Sequence, residues 1–352
     1  MKFRRARTLA MAHDADRVVY INYANGSEYT GPADLTELLA QLNDWTTEDT
    51  IAELMHAAGV YDPAAYIQEL IDGSVLIRSG SRACVADVDF GAQWKFGISS
   101  AILHMSVLDR AVCPIEEQIE FQKNKAEHVE SPPLWRVGCE YDEIRMKDPD
   151  TEGGLYVYLE KRRTVRDGVT HSLEFNILSD LLYAGLGVQD FTENAVAQLP
   201  LKYAPSGGGR NPFDGYLFAY DVEGLDRGVY RYSGVSHGLE RIPVELEDGP
   251  DDLLGGQVWA KRASAVLVLV ANFERTMWKY EGDDNAYRVV MIEAGHIAQN
   301  VMLMAGSLGY SACPSAAIDH SLINGLIDNE RFDVSPIYAM AFNLPGGSIA
   351  SR

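Results

Sequence analysis

Lys161-Arg162-Arg163-Thr164-Val165-Arg166 and, farther along, Ala204-Pro205-Ser206-Gly207-Gly208-Gly209-Arg210-Asn211-Pro212 are the stretches on which the reading of this chain turns. The first gathers three guanidiniums and a hydroxyl, a set suited to a phosphate or another polyanion. Each guanidinium presents a planar fork of donors, and the threonine adds one more. In a chain of formal charge -21, a local cationic cluster is informative. An exposed charged loop would look the same from the motif alone. In the second stretch, consecutive glycines let backbone come close to a flat ligand and expose N–H donors. It is not a P-loop, because Gly-Lys-Ser/Thr is missing. It is not a Rossmann fingerprint, because the glycine spacing differs and a strand pattern follows. A plain glycine-rich turn is the other reading.

The surroundings narrow the possibilities. The 352 residues leave room for two or three units, and an apolar content of 47% is enough to bury a full core. The acidic balance argues against nucleic acid, which requires clustered Lys and Arg, and against an anionic membrane surface. Lys2, Arg4, Arg5 and Arg7 form too short a basic group for a nucleic-acid arm and read as a solvated terminus. The longest apolar run, Ala265 to Ala271, has the length of a strand; a membrane span needs roughly 18 residues. Residues 1–20 lack the apolar block of a signal peptide, so the cytoplasm is the expected location. Cys84, Cys113, Cys139 and Cys313 form no C-x-x-C pair and the histidines show no paired ligand spacing, so no metal site is expected.

Residues 1–83 read as a small winged-helix-like module. Val18 to Tyr23 has strand composition, Asn25-Gly26 supplies a turn, and Tyr29-Thr30 begins the return. Helical patterns follow over Leu35 to Leu42, from Glu48 to Ala58 after Thr46-Thr47, and over Pro63 to Ile71. Val75 to Arg78 is strand-like. The acidic helices favour a protein or peptide partner over DNA; a purely structural extension is the other reading. Residues 84–153 read as a helical connector, with helices over Trp94 to Leu108 and Pro114 to Glu127 and a break at Pro132-Pro133. Residues 154–352 read as α+β. Helices are expected over Leu173 to Leu186, Asp251 to Lys261, Ala286 to Leu308 and Leu322 to Ile327. Strands are expected over Tyr216 to Val222, Gly228 to Tyr232, Leu239 to Ile242, Ser264 to Ala271 and Ile337 to Phe342.

Taken in order, five segments carry a resemblance. They are Arg162 to Arg166; Pro205 to Pro212; Val222-Glu223-Gly224-Leu225 through Gly228-Val229-Tyr230-Arg231-Tyr232; Glu293-Ala294-Gly295-His296-Ile297-Ala298-Gln299-Asn300; and Leu308 to Pro314. Together they resemble the nitroreductase superfamily, and within it the SagB-type dehydrogenases. Thr164 stands where that family has serine. The first 83 residues resemble, more loosely, the PqqD-like peptide-recognition elements of peptide-modifying enzymes. The resemblance implies a nitroreductase-like FMN-binding domain, an antiparallel-rich central sheet flanked by helices. It implies FMN at a homodimer interface. Arg162, Arg163, Thr164 and Arg166 would hold the phosphate and ribityl chain. Pro205, Ser206, Gly207, Gly208 and Gly209 would approach the same flavin from the other subunit. Pro314, Ser315 and Ala316 would run along the isoalloxazine edge near N5, with Ala316 where the family usually has glycine.

The same resemblance marks Lys279-Tyr280 as the catalytic pair, upstream of the Glu-Ala-Gly-His helix and within Arg275 to Tyr280. Oxidising an azoline ring to an azole removes one proton and one hydride. Lysine or tyrosine can take the proton when its surroundings favour the accepting form, and burial does this for lysine. Lys279 and Tyr280 could equally be surface residues after a strand. Lys202-Tyr203, just before the glycines, is a second candidate pair. Glu293, His296 and Asn300 share a helix face, where packing is the expected role. Gly295 and Gly306 would permit close helix contact in a dimer core. The expected function is FMN-dependent tailoring of a ribosomally made precursor peptide, by azoline oxidation, with a peptide-modifying enzyme complex as an expected partner. The alternatives are an NAD(P)H-dependent reductase of dehydroamino residues or small nitro or quinone compounds, and a non-catalytic peptide-binding scaffold.

Overall fold

The computed structural model describes residues 1–14, 17–109, 113–129, 151–166, 168–193 and 198–343. Pro132-Pro133 and Cys139 lie outside the described residues.

The N-terminal unit comprises β1 (Lys2–Arg5), β2 (Leu9–Asp14), β3 (Arg17–Asn22), β4 (Ser27–Pro32), α1 (Leu35–Ala40), β5 (Thr46–Thr47), α2 (Glu48–Ala57), α3 (Pro63–Asp72) and β6 (Leu76–Arg78). The strands form two antiparallel sheets, ordered β5-β1-β6 and β2-β3-β4. Thr47 and Asp62 cap α2 and α3 through their side-chain oxygens, and Pro63 opens α3, as the local sequence predicts. Next comes α4 (Arg82–Gln93), in a stretch where no helix is expected from the sequence pattern. Its Asp87 accepts an ion pair from Arg4 at 2.5 Å, with both side chains only 2% exposed. The second carboxylate oxygen takes the N–H of Arg7 and contacts Thr8, so α4 ties the first strand to the rest of the chain.

Helices α5 (Ile98–Ser106), α6 (Ile115–Ala126), α7 (Leu155–Lys161) and α8 (Phe175–Leu186) follow. The helix expected from Trp94 begins instead at Ile98, because Trp94 and Phe96 are drawn into an aromatic cluster with Phe273 and Tyr287. Strands β7 (Val188–Glu193) and β8 (Gln198–Lys202) form an exposed hairpin. The C-terminal domain continues through β9 (Phe213–Ala219), β10 (Gly228–Ser233), β11 (Gly238–Arg241), α9 (Pro250–Leu253), β12 (Ala265–Asn272), α10 (Glu274–Met277), α11 (Asp284–Ser307), β13 (Ser311–Ser315), α12 (His320–Leu326) and β14 (Val334–Asn343).

Six of these strands make one antiparallel sheet, ordered β11-β10-β9-β12-β14-β13. Its central strand β12 explains the layering. Successive side chains of a strand point to opposite faces. Leu267 and Leu269 therefore join a core with Leu181 of α8 and Ile297 and Val301 of α11. Val266, Val268 and Val270 join a second core with Leu253, Ile318 and Ile323. A run apolar at every position has buried both faces of one strand, giving the expected sheet flanked by helices.

Helix α11 is long and apolar enough to cross a membrane, yet its apolar residues are spent on this core, with Val290, Ala294, Ile297 and Val301 buried. Gly185 of α8 lets that helix approach it: a β-carbon there would stand 2.6 Å from Val301 Cγ2. The helix expected over 251–261 is a correction. Gly255 and Gly256 adopt φ of 64° and 79°, which ends α9 and leaves a 3-10 turn at Val258–Arg262.

Candidate functional site

The glycine segment is held in a tight turn. Gly208 and Gly209 have φ of 63° and 69°, and Asn211 has φ of 46°, conformations that glycine and asparagine tolerate best. Ser206 Oγ accepts the Asn211 N–H at 2.7 Å. Asn211 Nδ2 donates to the carbonyls of Pro200 and Gly209, both at 3.2 Å. Below the turn lies α11: the Gly207 N–H donates to Glu293 Oε2 at 3.2 Å, and a side chain at Gly207 would strike Val289. Above it lie Lys279 and Tyr280. A β-carbon on Gly208 would overlap the Tyr280 hydroxyl and stand 2.9 Å from Lys279 Nζ. The glycines expected to face a cofactor and the pair expected to be catalytic are thus neighbours in space.

Reciprocal arginines lock the two together. Arg275 Nη2 reaches both carboxylate oxygens of Asp214, at 2.8 and 3.0 Å, and Nη1 donates to the Asn211 carbonyl at 3.0 Å. Arg210 donates to the Arg275 carbonyl at 2.7 Å and lies over the Trp278 ring at 4.8 Å. A cavity of about 590 Å³ opens beside them, under the β7–β8 hairpin, with Lys202, Arg210, Asp214, Arg231 and Tyr232 in its wall.

Two ionisable groups here are displaced by burial. Burial pushes the Glu293 carboxyl up, against the opposing pull of the Ser206 hydroxyl, the Gly207 N–H and Lys202. Burial holds the Lys202 ammonium down, partly offset by Asp214 and reinforced by Arg275. Lys279 is exposed and Tyr280 half-buried in the single chain. The environment expected for Lys279 is therefore found at Lys202 instead.

The arginine cluster sits at the far end of α11. Gly306 allows this, since a β-carbon there would be 3.1 Å from the Arg162 backbone. Its close contact is thus with the chain's own Arg162, whereas Gly295 has open space around it. The Val165 N–H donates to Ser311 Oγ at 3.3 Å, fixing the segment to the start of β13. Arg163 and Arg166 are exposed and Arg162 is half-buried. No carboxylate among the described residues pairs with any of the three.

From Glu293 to Gly306 the helix rises about 20 Å at 1.5 Å per residue. One chain therefore keeps the glycine segment and the arginine cluster apart. Pro314, Ser315 and Ala316 belong with the arginines, through a link absent from the sequence reading. Arg166 lies over the Trp259 ring at 5.8 Å, Trp259 Nε1 donates to Gln257 Oε1 at 3.0 Å, and Gln257 Nε2 donates to Ser315 Oγ at 2.8 Å. Behind them, burial pushes the Cys313 thiol up to about 11, with Arg166 opposing. The adjacent glycines 255 and 256 were the available sign that residue 257 turns out of a helix.

Residues 159–343 match the nitroreductase family. Over 171 residues the chain is 37% identical to MJ1384 of Methanocaldococcus jannaschii, assigned as a nitroreductase, covering 48% of this chain and 81% of that one. It is 27% identical over 177 residues to the trifolitoxin-processing protein TfxB of Rhizobium leguminosarum bv. trifolii, covering 48% of this chain but only 47% of TfxB. Among solved structures, the E. coli microcin synthetase McbBCD complex with truncated pro-MccB17 bound aligns at 19% identity and a TM-score of 0.47, over 74% of this chain and 91% of that one.

Proposed function

The chain belongs to the nitroreductase family of oxidoreductases, and from that premise we propose that it is an FMN-dependent dehydrogenase that tailors a ribosomally made peptide by oxidising azoline rings to azoles. The observation that carries the cofactor is the set of three guanidiniums, Arg162, Arg163 and Arg166, without a carboxylate partner among the described residues of a strongly acidic chain. Guanidinium forks without a carboxylate counter-charge suit a phosphate monoester. The left-handed turn at Gly208, which a side chain would block, suits close approach by a flat ring.

Arg162, Arg163, Thr164 and Arg166 would hold the phosphate and ribityl chain, with Pro314, Ser315 and Ala316 flanking the ring. Pro205 to Gly209 would come from a second copy, since within one chain they lie about 20 Å away along α11. FMN, when bound, supplies the hydride acceptor. The chain's own part is to orient the azoline, exclude water and take the proton. Lys279 Nζ, or Tyr280 Oη beside it, is the proposed proton acceptor. Lysine accepts a proton only when neutral, and a second copy laid over this exposed face would favour that form by desolvation. Lys202 is the second candidate acceptor.

The 27% identity to a trifolitoxin-processing protein supports a peptide substrate; the N-terminal unit would be its recognition element. The 37% identity to MJ1384 supports a second reading, an NAD(P)H-dependent reductase. The purified protein is expected to be yellow, with oxidised-flavin absorption and near one FMN per chain. Colourless protein that takes up no added FMN would overturn the cofactor. Rapid anaerobic bleaching of the flavin by NAD(P)H, with no turnover of azoline peptides, would decide for the reductase.

A further inference from the structure

Gln257 occupies a position with more polar contacts than its loop requires. Its Nε2 reaches Ser315 Oγ at 2.8 Å, the Leu254 carbonyl at 3.0 Å and the Ala317 carbonyl at 3.2 Å. An amide nitrogen has two hydrogens, so these three acceptors share two donors. Its Oε1 accepts the Trp259 indole N–H at 3.0 Å. Ser315 Oγ also accepts the Ala317 N–H and lies 3.1 Å from the Ala317 carbonyl. The amide therefore stands at the crossing of a closed set of bonds spanning residues 254–259 and 315–317. The indole it holds is the one over which Arg166 lies.

We propose that Gln257 is a positioning residue that clamps the Pro314–Ala317 segment and, through Trp259, sets Arg166, so that the ring-flanking and phosphate-holding parts of the site keep one relative geometry. This rests on the FMN reading above. Ser315 and Arg166 lie far apart in sequence and are linked through Trp259 and Gln257. Each segment is anchored at one end: Val165 is tied to Ser311 while Arg166 beyond it is exposed, and Ser315 is the last paired residue of β13 with Ala316 just past it. A hydrogen-bonded bridge between the indole under Arg166 and Ser315 holds the outer ends of the two segments in one preorganised surface, and that lowers the ordering cost of binding. Gly255 and Gly256 make the bridge accessible, because their left-handed backbone turns the chain after α9 back toward β13.

The clamp can be read without flavin. Hydrogen–deuterium exchange on FMN-free protein should quicken on Gln257→Leu in peptides covering both 311–319 and 162–168. Gln257→Glu removes the donor to Ser315 but keeps the acceptor for Trp259. It should quicken exchange at 311–319 while leaving 162–168 near wild type. In the FMN-titrated proteins, Gln257→Leu should raise the dissociation constant at least about tenfold and shift the visible flavin band. Should Gln257→Leu not fold, Gln257→Glu and Trp259→Phe carry the same comparison, with Trp259→Phe loosening 162–168. Unchanged exchange in both segments overturns the clamp. Altered exchange with wild-type FMN affinity and spectrum overturns its positioning role. A wild-type protein that takes no FMN overturns the flavin reading and the positioning role with it, leaving the exchange arm to decide the bridge alone.

Discussion

The hydroxyl of Tyr280 and the α-carbon of Gly208 face each other so closely that no side chain fits between them. Gly208 also holds a φ of 63°, where an ordinary residue is strained. Gly208→Ala should therefore cost about 1–2 kcal/mol from backbone handedness alone. The added methyl would also displace Tyr280 and Lys279. The expected outcome is a lowered unfolding midpoint in urea and a loss of turnover greater than the stability change explains. Full activity in a folded Gly208→Ala protein would separate the pair from the glycine turn.

If Lys279 accepts the substrate proton, Lys279→Ala should lower azoline oxidation by about 100-fold or more, the usual worth of a positioned base. Bound FMN should be retained. Lys202→Met is the informative companion, because Lys202 is the lysine that burial disfavours as a cation. A collapse of turnover in Lys202→Met with near-normal rates in Lys279→Ala would transfer the role to Lys202.

Removing one exposed guanidinium from the phosphate cluster should weaken FMN. Hydrogen bonds to charged groups contribute about 1.5–3 kcal/mol, so Arg163→Ala and Arg166→Ala should each raise the FMN dissociation constant by about 10- to 100-fold. Fluorescence titration measures it directly. Higher salt should weaken wild-type binding more than binding by either variant, since part of the attraction has already been removed.

His104 is buried, stacked on Trp94, and hydrogen-bonded to the Tyr287 hydroxyl at 3.2 Å. Burial, with His320 adding, lowers its pKa from 6.5 to about 3. A histidine lowered in the folded state contributes stability above its unfolded pKa, and that stability is lost as pH falls toward the folded value. The window runs from about pH 6.5 down to about 3, with a ceiling on the order of 5 kcal/mol. His104→Phe should cost about 1 kcal/mol at neutral pH through the lost hydrogen bond. It should flatten the decline in unfolding free energy between about pH 7 and 4. An identical pH slope in wild type and variant would remove His104 from acid unfolding.

Asp87 neutralises Arg4 where water does not reach, and both side chains are 2% exposed. Asp87→Ala leaves a buried guanidinium without its counter-charge, which costs about 3–5 kcal/mol. It should appear as early loss of the N-terminal sheet in urea, with protease cutting first within residues 1–83. A shift below about 1 kcal/mol would mean that water or another acceptor replaces the carboxylate.

Much of the architecture was legible where burial imposes a pattern. The apolar run Ala265–Ala271 became the central strand β12, and the Ala286–Leu308 periodicity became α11 within two residues at each end. The β7–β8 hairpin was not legible, because most of β7 is exposed and no alternation marks it. The helix expected over 251–261 failed at Gly255-Gly256, where the left-handed backbone overrode an otherwise helical pattern. Residues Arg162–Arg166 and Pro205–Gly209 could be named as candidates from their chemistry. Gln257 and Trp259 could not, since neither an amide nor an indole is conspicuous until Ser315 and Arg166 are seen beside it.

By itself the sequence carried, in five ordered motifs, a resemblance to the family and to its sheet between helices, which the match over residues 159–343 bears out, and it marked which residue types stand ready for an anion and a flat ring. The elements and the candidate residues are local matters, settled by side-chain period, donor geometry and the steric freedom of glycine. Only the tertiary structure decided which candidates are neighbours. It set Lys279 and Tyr280 over Gly208, put Glu293 under Gly207, and left the arginines about 20 Å away along α11. It also decided which lysine is half-buried and which exposed. Proximity and desolvation depend on how distant segments pack together, and no short stretch of residues encodes that packing.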